Sequence, residues 1–269
     1  MTATTGASKL LDALARLVGR TVVVAFLGFM VLPAVFIGVL SFSNDPYIMF
    51  PPQSWGTDRY VEVVTSSTWI RPITLSLEVA AATAVVTLAV VVPAMFALKR
   101  GRVPGTMAVE SAGIAPMLFP VAAYAVGMYA VFAEFGLLGT FAGIVVAHTV
   151  HAVPLVIILL STAMDQIRPE LELAAMTMGA SRLRAWAGIT VRLLLPAILA
   201  AAIFAFVLSF DEAVFITFLG GPGLVTLPKY IFDSVQFGVD PAITAVATLL
   251  MVVTAGLMLG ATVLRGRSR

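Results

Sequence analysis

Three carboxylates stand in apolar stretches where a charge is costly: Glu78, Asp211 and Glu212. A charged side chain at mid-bilayer costs about 2.5 to 3.5 kcal/mol on insertion scales, so such residues normally face a cavity, a partner or a solute. No Lys or Arg lies inside the same stretches, and only Arg71 and Lys229 flank them closely enough to reach toward them. If the stretches are membrane spans, the chemistry on offer is the binding of a cation. On a continuous helix Asp211 and Glu212, being adjacent, point about 100° apart. Two readings therefore stand: an acidic lining for a cationic solute, or structural hydrogen bonding at a helix or subunit contact. His148 and His151 are three apart and share a helical face, yet no third ligand of suitable spacing accompanies them. No metal site is expected, and both read as packing or hydrogen-bonding residues near the pathway. Cysteine is absent, which removes disulfides, thiol nucleophiles and thiolate metal sites. The Gly-Gly-Pro-Gly run at 220–223 lacks a following Gly-Lys-Ser/Thr, so it is not a phosphate loop. No catalytic constellation emerges, the chain is not expected to be an enzyme, and any use of ATP requires a separate subunit.

The elements that must position these residues are membrane helices. Of 269 residues, 60% are hydrophobic and 11% charged, and the mean hydropathy is +1.05. Those values place the chain among polytopic membrane proteins. A helical span needs about 20 mostly apolar residues. The pattern predicts an all-α protein of one membrane domain, residues 1–269, with spans at about 21–42, 73–98, 112–132, 140–160, 193–219 and 242–264. The first is expected to remain as an uncleaved span, because its apolar run is longer than that of a signal peptide. The fifth is longer than a bilayer requires and is expected to tilt or project beyond it. Between the first and second spans lies a polar loop in which Trp55, Tyr60 and Trp69 suit the headgroup region. Thirteen of the sixteen Lys and Arg fall in the N-terminal lead, the second-to-third loop, segment 168–192 and the tail. The positive-inside rule then puts both termini and segment 168–192 in the cytoplasm.

Segment 168–196 reads RPELELAAMTMGASRLRAWAGITVRLLLP. Pro169 suits a first helical turn, and Glu170 and Glu172 follow where the helix dipole favours carboxylates. Leu171, Ala174, Ala175 and Met178 recur on one face. Gly179 is a stop, and Ser181 is placed to cap a second short helix carrying Arg182 and Arg184. The result is a short helix, a bend and a run into the next span, with an exposed face of small residues suited to docking.

Ala174, Ala175, Gly179 and Pro196 resemble the signature loop of the membrane subunits of binding-protein-dependent ABC importers. In that family Glu-Ala-Ala is followed by three residues and Gly, and later by a Leu-Pro ending. Leu173 occupies the family's Glu position here, with Glu172 one residue earlier. The resemblance implies that Glu170, Glu172, Ala174, Ala175, Gly179, Ala180 and Ser181 form a coupling helix and bend that dock on an ATPase. Further on, SFDEAVF, a Gly-Pro-Gly loop and TLPKYIFDSVQFGVDP are similar to permeases of the spermidine/putrescine type. That resemblance implies a multi-pass subunit of the bacterial inner membrane working by alternating access, with a polyamine as the cation. Its implied partners are two cytoplasmic ATPases that bind ATP and Mg, a second permease forming a heterodimer, an extracytoplasmic solute-binding protein and the lipid bilayer, with no nucleic acid. A related importer for iron or an amino-acid-like compound is the alternative. The rival class is an ion-coupled secondary transporter using Glu78, Asp211 and Glu212 as proton carriers.

Overall fold

The computed structural model describes residues 6–101 and 104–267. Arg102 and Arg269, two of the basic residues used to set the orientation, lie outside them. In chain order the helices are α1 (Gly6–Leu40), α2 (Asp58–Thr65), α3 (Ser67–Arg100), α4 (Thr106–Ile114), α5 (Val121–Glu134), α6 (Phe141–Asp165) and α7 (Glu170–Thr177), and then α8 (Arg182–Ala185), α9 (Val191–Phe210), α10 (Val214–Leu219), α11 (Leu227–Phe237) and α12 (Ala242–Arg267). A 3-10 turn (Ala115–Leu118) follows α4, and a π turn (Trp186–Thr190) joins α8 to α9. Among the described residues five helical stretches are long and apolar enough to cross a membrane, and α4 with α5 makes a sixth if the bent pair is one span. The backbone polar groups of such spans are satisfied within the helices, as a hydrocarbon environment demands.

Two spans differ from the sequence expectation. The third, expected as a continuous helix over 112–132, is broken, with α4 and α5 bent by 108°. The cause is the run APMLFP: Pro120 has no N–H to donate, and Phe119 before it is extended (φ −98°, ψ 143°). The fifth, expected as one long helix over 193–219 that tilts or projects beyond the bilayer, stops at Phe210 and restarts at Val214. Asp211, Glu212 and Ala213 form the break.

The chain divides into two compact units, the described part of Met1–Ser67 with Ser234–Arg269, and Thr68–Asp233. In the first, α12 packs on α1 and α2. The loop after α1 is closed by a single bridge between Ser43 and Trp55. Asp45 is its hub, accepting from the backbone N–H groups of Gln53 (2.8 Å) and Ser54 (3.0 Å) and from the Ser54 hydroxyl (2.7 Å). Tyr60 folds inward, its hydroxyl 2.6 Å from Ser41 Oγ.

In the second unit α3 and α6 run through two apolar clusters. One joins them to α9 through Val91, Met95, Val156, Leu160, Met164 and Leu194. Ala201 and Ala205, both fully buried one turn apart on α9, let the helices approach closely. The other joins them to α5 and α10 through Val79, Phe132, Ile144, Phe215, Ile216 and Leu219. Where α10 ends, Gly221 lies so near Gly139 that a Cβ on Gly221 would stand 3.3 Å from the Gly139 Cα. Gly139 N–H donates to the Leu219 carbonyl there (2.9 Å).

The headgroup expectation fails at Trp69. It is fully buried (0% exposed), edge-on to Tyr230 with centroids 4.7 Å apart, because α3 begins six residues before the expected span. Trp55, by contrast, is 61% exposed. Trp69→Ala is expected to destabilise this unit by about 3–5 kcal/mol, the usual cost of emptying a buried Trp site. Trp55→Ala should leave the thermal midpoint in detergent unchanged. Equal melting of the two variants would contradict the assignment of Trp69 to the core.

Candidate functional site

The acidic positions separate once the fold is known. Glu78 lies exposed on α3. Asp211 and Glu212 sit at the break between α9 and α10, not on a helix. The Asp211 N–H still donates to Val207 O (3.0 Å) and closes α9. Glu212 Oε1 then accepts from Val214 N (2.5 Å) and Phe215 N (3.3 Å), taking the place of the carbonyls a continuous helix would have supplied. Its Oε2 faces His151 Nε2 at 3.9 Å, an ion pair only when the imidazole is protonated. Asp211 is exposed. The two carboxylates border a cavity of about 210 Å³ walled by Leu155, Phe204, Val207 and Leu208. A broken helix that gathers acidic groups over an apolar wall can hold a cation carrying an alkyl chain.

The histidines share one face of α6, as their spacing indicates, and both rings pack near Phe215 of α10 (centroids 5.9 and 5.4 Å). His148 is buried, with Nδ1 2.8 Å from Ser209 Oγ at the end of α9. It ties the helix before the break to α6. Lys229, which the sequence left free to reach an in-span carboxylate, pairs instead with Asp233 one turn away (2.6 Å).

The second site is the segment between the fourth and fifth spans. Gly179 has φ +93° and ends α7. Gly179 N–H donates to Met176 O (3.0 Å) and Ala180 N–H to Ala175 O (3.0 Å), the paired bonds of a Schellman end. Ser181 Oγ accepts from Arg184 N (3.4 Å) and caps α8. The exposed face of α7 is not made of small residues alone. Leu171, Leu173 and Met178 are exposed, Met178 by 89%.

Glu172 points the other way. It is 5% exposed and is the one buried residue of α7, so its side chain is not part of the exposed face. Arg100 Nε donates to Glu172 Oε1 (2.8 Å), Thr190 Oγ1 to Oε1 (2.5 Å) and Trp186 Nε1 to Oε2 (2.9 Å). The π turn brings Trp186 and Thr190 to the same carboxylate, and Trp186 packs on Phe96 of α3 (5.6 Å). Burial alone would raise the Glu172 carboxyl; the Thr190 hydroxyl, the Arg100 guanidinium and the Trp186 indole outweigh it and hold it below the usual carboxylate range. A lowered value in the folded state means that this network contributes fully above the ordinary carboxylate range and is lost as pH falls through the lowered value. Amide protection factors over 168–192, taken against the intrinsic exchange rate at each pH, should fall on such acidification in the wild type and change little in Glu172→Gln. Identical acid profiles would contradict the assignment.

Beside it, Lys99 spans Glu110 (3.4 Å) and Asp165 (3.2 Å), and Ser161 donates to Glu110. Sequence reasoning did not find Arg100, Trp186, Thr190 or this second cluster. The only local signal was a lone Trp in a basic stretch; the Arg100 partner lies 72 residues from Glu172.

Among the described residues the chain thus carries five or six helices fit to cross a membrane, a break in the fifth, and an ordered segment between the fourth and fifth. Residues 90–265 match the family described as the binding-protein-dependent transport system inner membrane component, and the chain belongs to that family. It is 31% identical over 246 residues to the putrescine transport system permease protein PotI of Escherichia coli K12, covering 86% of this chain and 85% of that protein. It is 28% identical over 233 residues to the spermidine/putrescine transport system permease protein PotC of Haemophilus influenzae, covering 86% and 89%. A chain in the crystal structure of a bacterial ABC transporter that imports the acidic polysaccharide alginate shares its fold (TM-score 0.75, 15% identity, 98% and 99% coverage). The protein is therefore an inner-membrane transport permease and not an enzyme.

Proposed function

We propose that this chain forms the translocation pathway of an ATP-driven importer for a small polycation of the putrescine or spermidine kind. The observation that carries the substrate class is the pair Asp211 and Glu212 at the broken fifth span, over the apolar wall of Leu155, Phe204, Val207 and Leu208. Alkyl polyamines carry ammonium groups on a methylene chain, which matches carboxylates beside apolar surface, whereas an anionic solute would be repelled. The relatives named for putrescine and spermidine transport support the same reading. Glu78 is assigned to the same pathway from its place in a span.

In this reading both termini and α7–α8 face the cytoplasm, where two ATPases holding ATP and Mg dock on Leu171, Ala174 and Met178. A second permease completes the pathway, and a solute-binding protein delivers the cation from the other side. Glu170, Ala175, Gly179, Ala180 and Ser181 shape the docking segment, and Glu172 fastens it from behind.

The test is uptake by the complete complex in proteoliposomes. ATP-dependent entry of labelled putrescine or spermidine, and none of labelled sulfate, is the expected outcome. ATP-dependent entry of the anion alone would overturn the substrate class.

A further inference from the structure

Glu172 is the one buried side chain of α7, which also packs on α8 and the π turn. Its leucines and Met178 face outward. A displacement imposed on α7 can therefore reach the spans through the connections at its ends, through its packing on α8 and the π turn, and through whatever holds that carboxylate. Arg100, the last residue of α3, is what holds it across the fold. The 34 residues of α3 rise about 50 Å, well past the roughly 30 Å of hydrocarbon. The projecting end brings the guanidinium level with α7.

The geometry around Arg100 joins three elements. Nε donates to Glu172 on α7 (2.8 Å), and a terminal nitrogen donates to Ile167 O just beyond α6 (2.7 Å). The side chains of Arg100 and Glu172 are 10% and 7% exposed, so water screens the pair little. The Arg100 backbone carbonyl is taken in turn by Arg182 of α8 (2.6 Å), whose guanidinium lies over the Trp186 ring (4.9 Å). Lys99 turns the other way, to Glu110 and Asp165, and does not duplicate the contact. A planar guanidinium can donate in two directions at once; an ammonium at the same place lacks that fork.

We propose that Arg100 is a positioning residue for transport: through Glu172 and Ile167 it makes the ends of α3 and α6 move with α7. Force applied to α7 then arrives at two spans together. Without Arg100 the carboxylate is held only by Trp186 and Thr190 of the π turn, and the ends of α3 and α6 no longer follow α7. A buried ion pair is weak evidence for stability, and its best-attested use is to fix register, the role assigned here. The inference rests on the importer reading above, since it is the ATPase that would displace α7.

The test uses the full complex with its ATPases and binding protein, comparing wild type with Arg100→Gln. The readouts are the ratio of binding-protein-stimulated to basal ATP hydrolysis and the solute imported per ATP. Arg100→Gln is expected to retain its ATPases on purification while the ratio falls toward one and import drops at least tenfold. Should that variant fail to assemble, Arg100→Lys carries the same measurement, with an intermediate ratio expected because one contact is kept. The chain has no cysteine, so spin labels at Thr177→Cys and Val90→Cys, both exposed and neither among the proposed docking residues, report the α7-to-α3 distance. That distance should be narrowly distributed with Arg100 and broad in the variant. A wild-type ratio with a narrow distance in the substituted complex would overturn the positioning role alone. A wild-type preparation without any ATPase would overturn the importer reading instead.

Discussion

Gly179→Val is expected to abolish uptake while the protein still inserts in the membrane at wild-type levels. The residue sits at φ +93°, in the left-handed region that costs an L-residue about 1–2 kcal/mol and a β-branched one more. No other atom lies within 4 Å of where a Cβ would stand, so the penalty is conformational and not a clash. Relief of that strain unwinds the Schellman end, releases the bonds from Gly179 and Ala180 to Met176 and Ala175, and swings α7 relative to α8. Leu171, Ala174 and Met178, proposed above to meet the ATPase, then lose their arrangement, while the span cores, remote from this bend, are untouched. Gly179→Asn separates conformation from size, because Asn tolerates the left-handed region. It should retain most uptake although its side chain is comparable in bulk to that of Val. ATP-dependent uptake in cells with matched membrane levels decides between them. Wild-type uptake in the Val variant would remove the coupling role of the bend.

The second large effect is at the broken span. Asp211→Asn is expected to lower the rate of cation import about tenfold, equivalent to about 1.4 kcal/mol, with no change in thermal midpoint, since the side chain is exposed. Glu212 serves two purposes, and its variants should divide. Glu212→Gln keeps an oxygen for Val214 and Phe215 N–H but loses the charge, so import falls and the midpoint holds. Glu212→Ala strips the cap from α10 as well, and both fall; an uncapped helix start costs about 0.5–2 kcal/mol. The double variant Asp211→Asn with Glu212→Gln should import no cation. Unchanged import in both neutral single variants and the double would leave the acidic pair a structural feature only.

What could be read from the sequence is what depends on nearby residues. Hydropathy marks each span, and Ala174, Ala175 and Gly179 mark the helix and its stop, because an apolar run or a left-handed glycine acts within a turn or two. The breaks were half visible: Pro116 and Pro120 flag the third span, and Asp211 with Glu212 the fifth, but spacing alone does not say whether a helix bends or ends. The orientation of Glu172 was not visible. In the first turn of a short helix an acid is ordinarily solvated beside the dipole, and only Arg100, Trp186 and Thr190 turn it inward. Two of those arrive from a π turn and one from another span. Trp69 misled for a related reason: aromatic neighbours such as Trp55 suggest an interface, while its burial depends on Tyr230, more than 160 residues on.

The most direct test of the account is gentle-detergent purification of this chain from its native membrane, with stoichiometric partners identified by mass spectrometry. Two copies of an ATPase and one second permease per chain, in constant ratio, is the result expected. A lone chain or homodimer that still imports its solute without ATP would contradict the account and leave Glu78, Asp211 and Glu212 as the proton carriers of a secondary transporter.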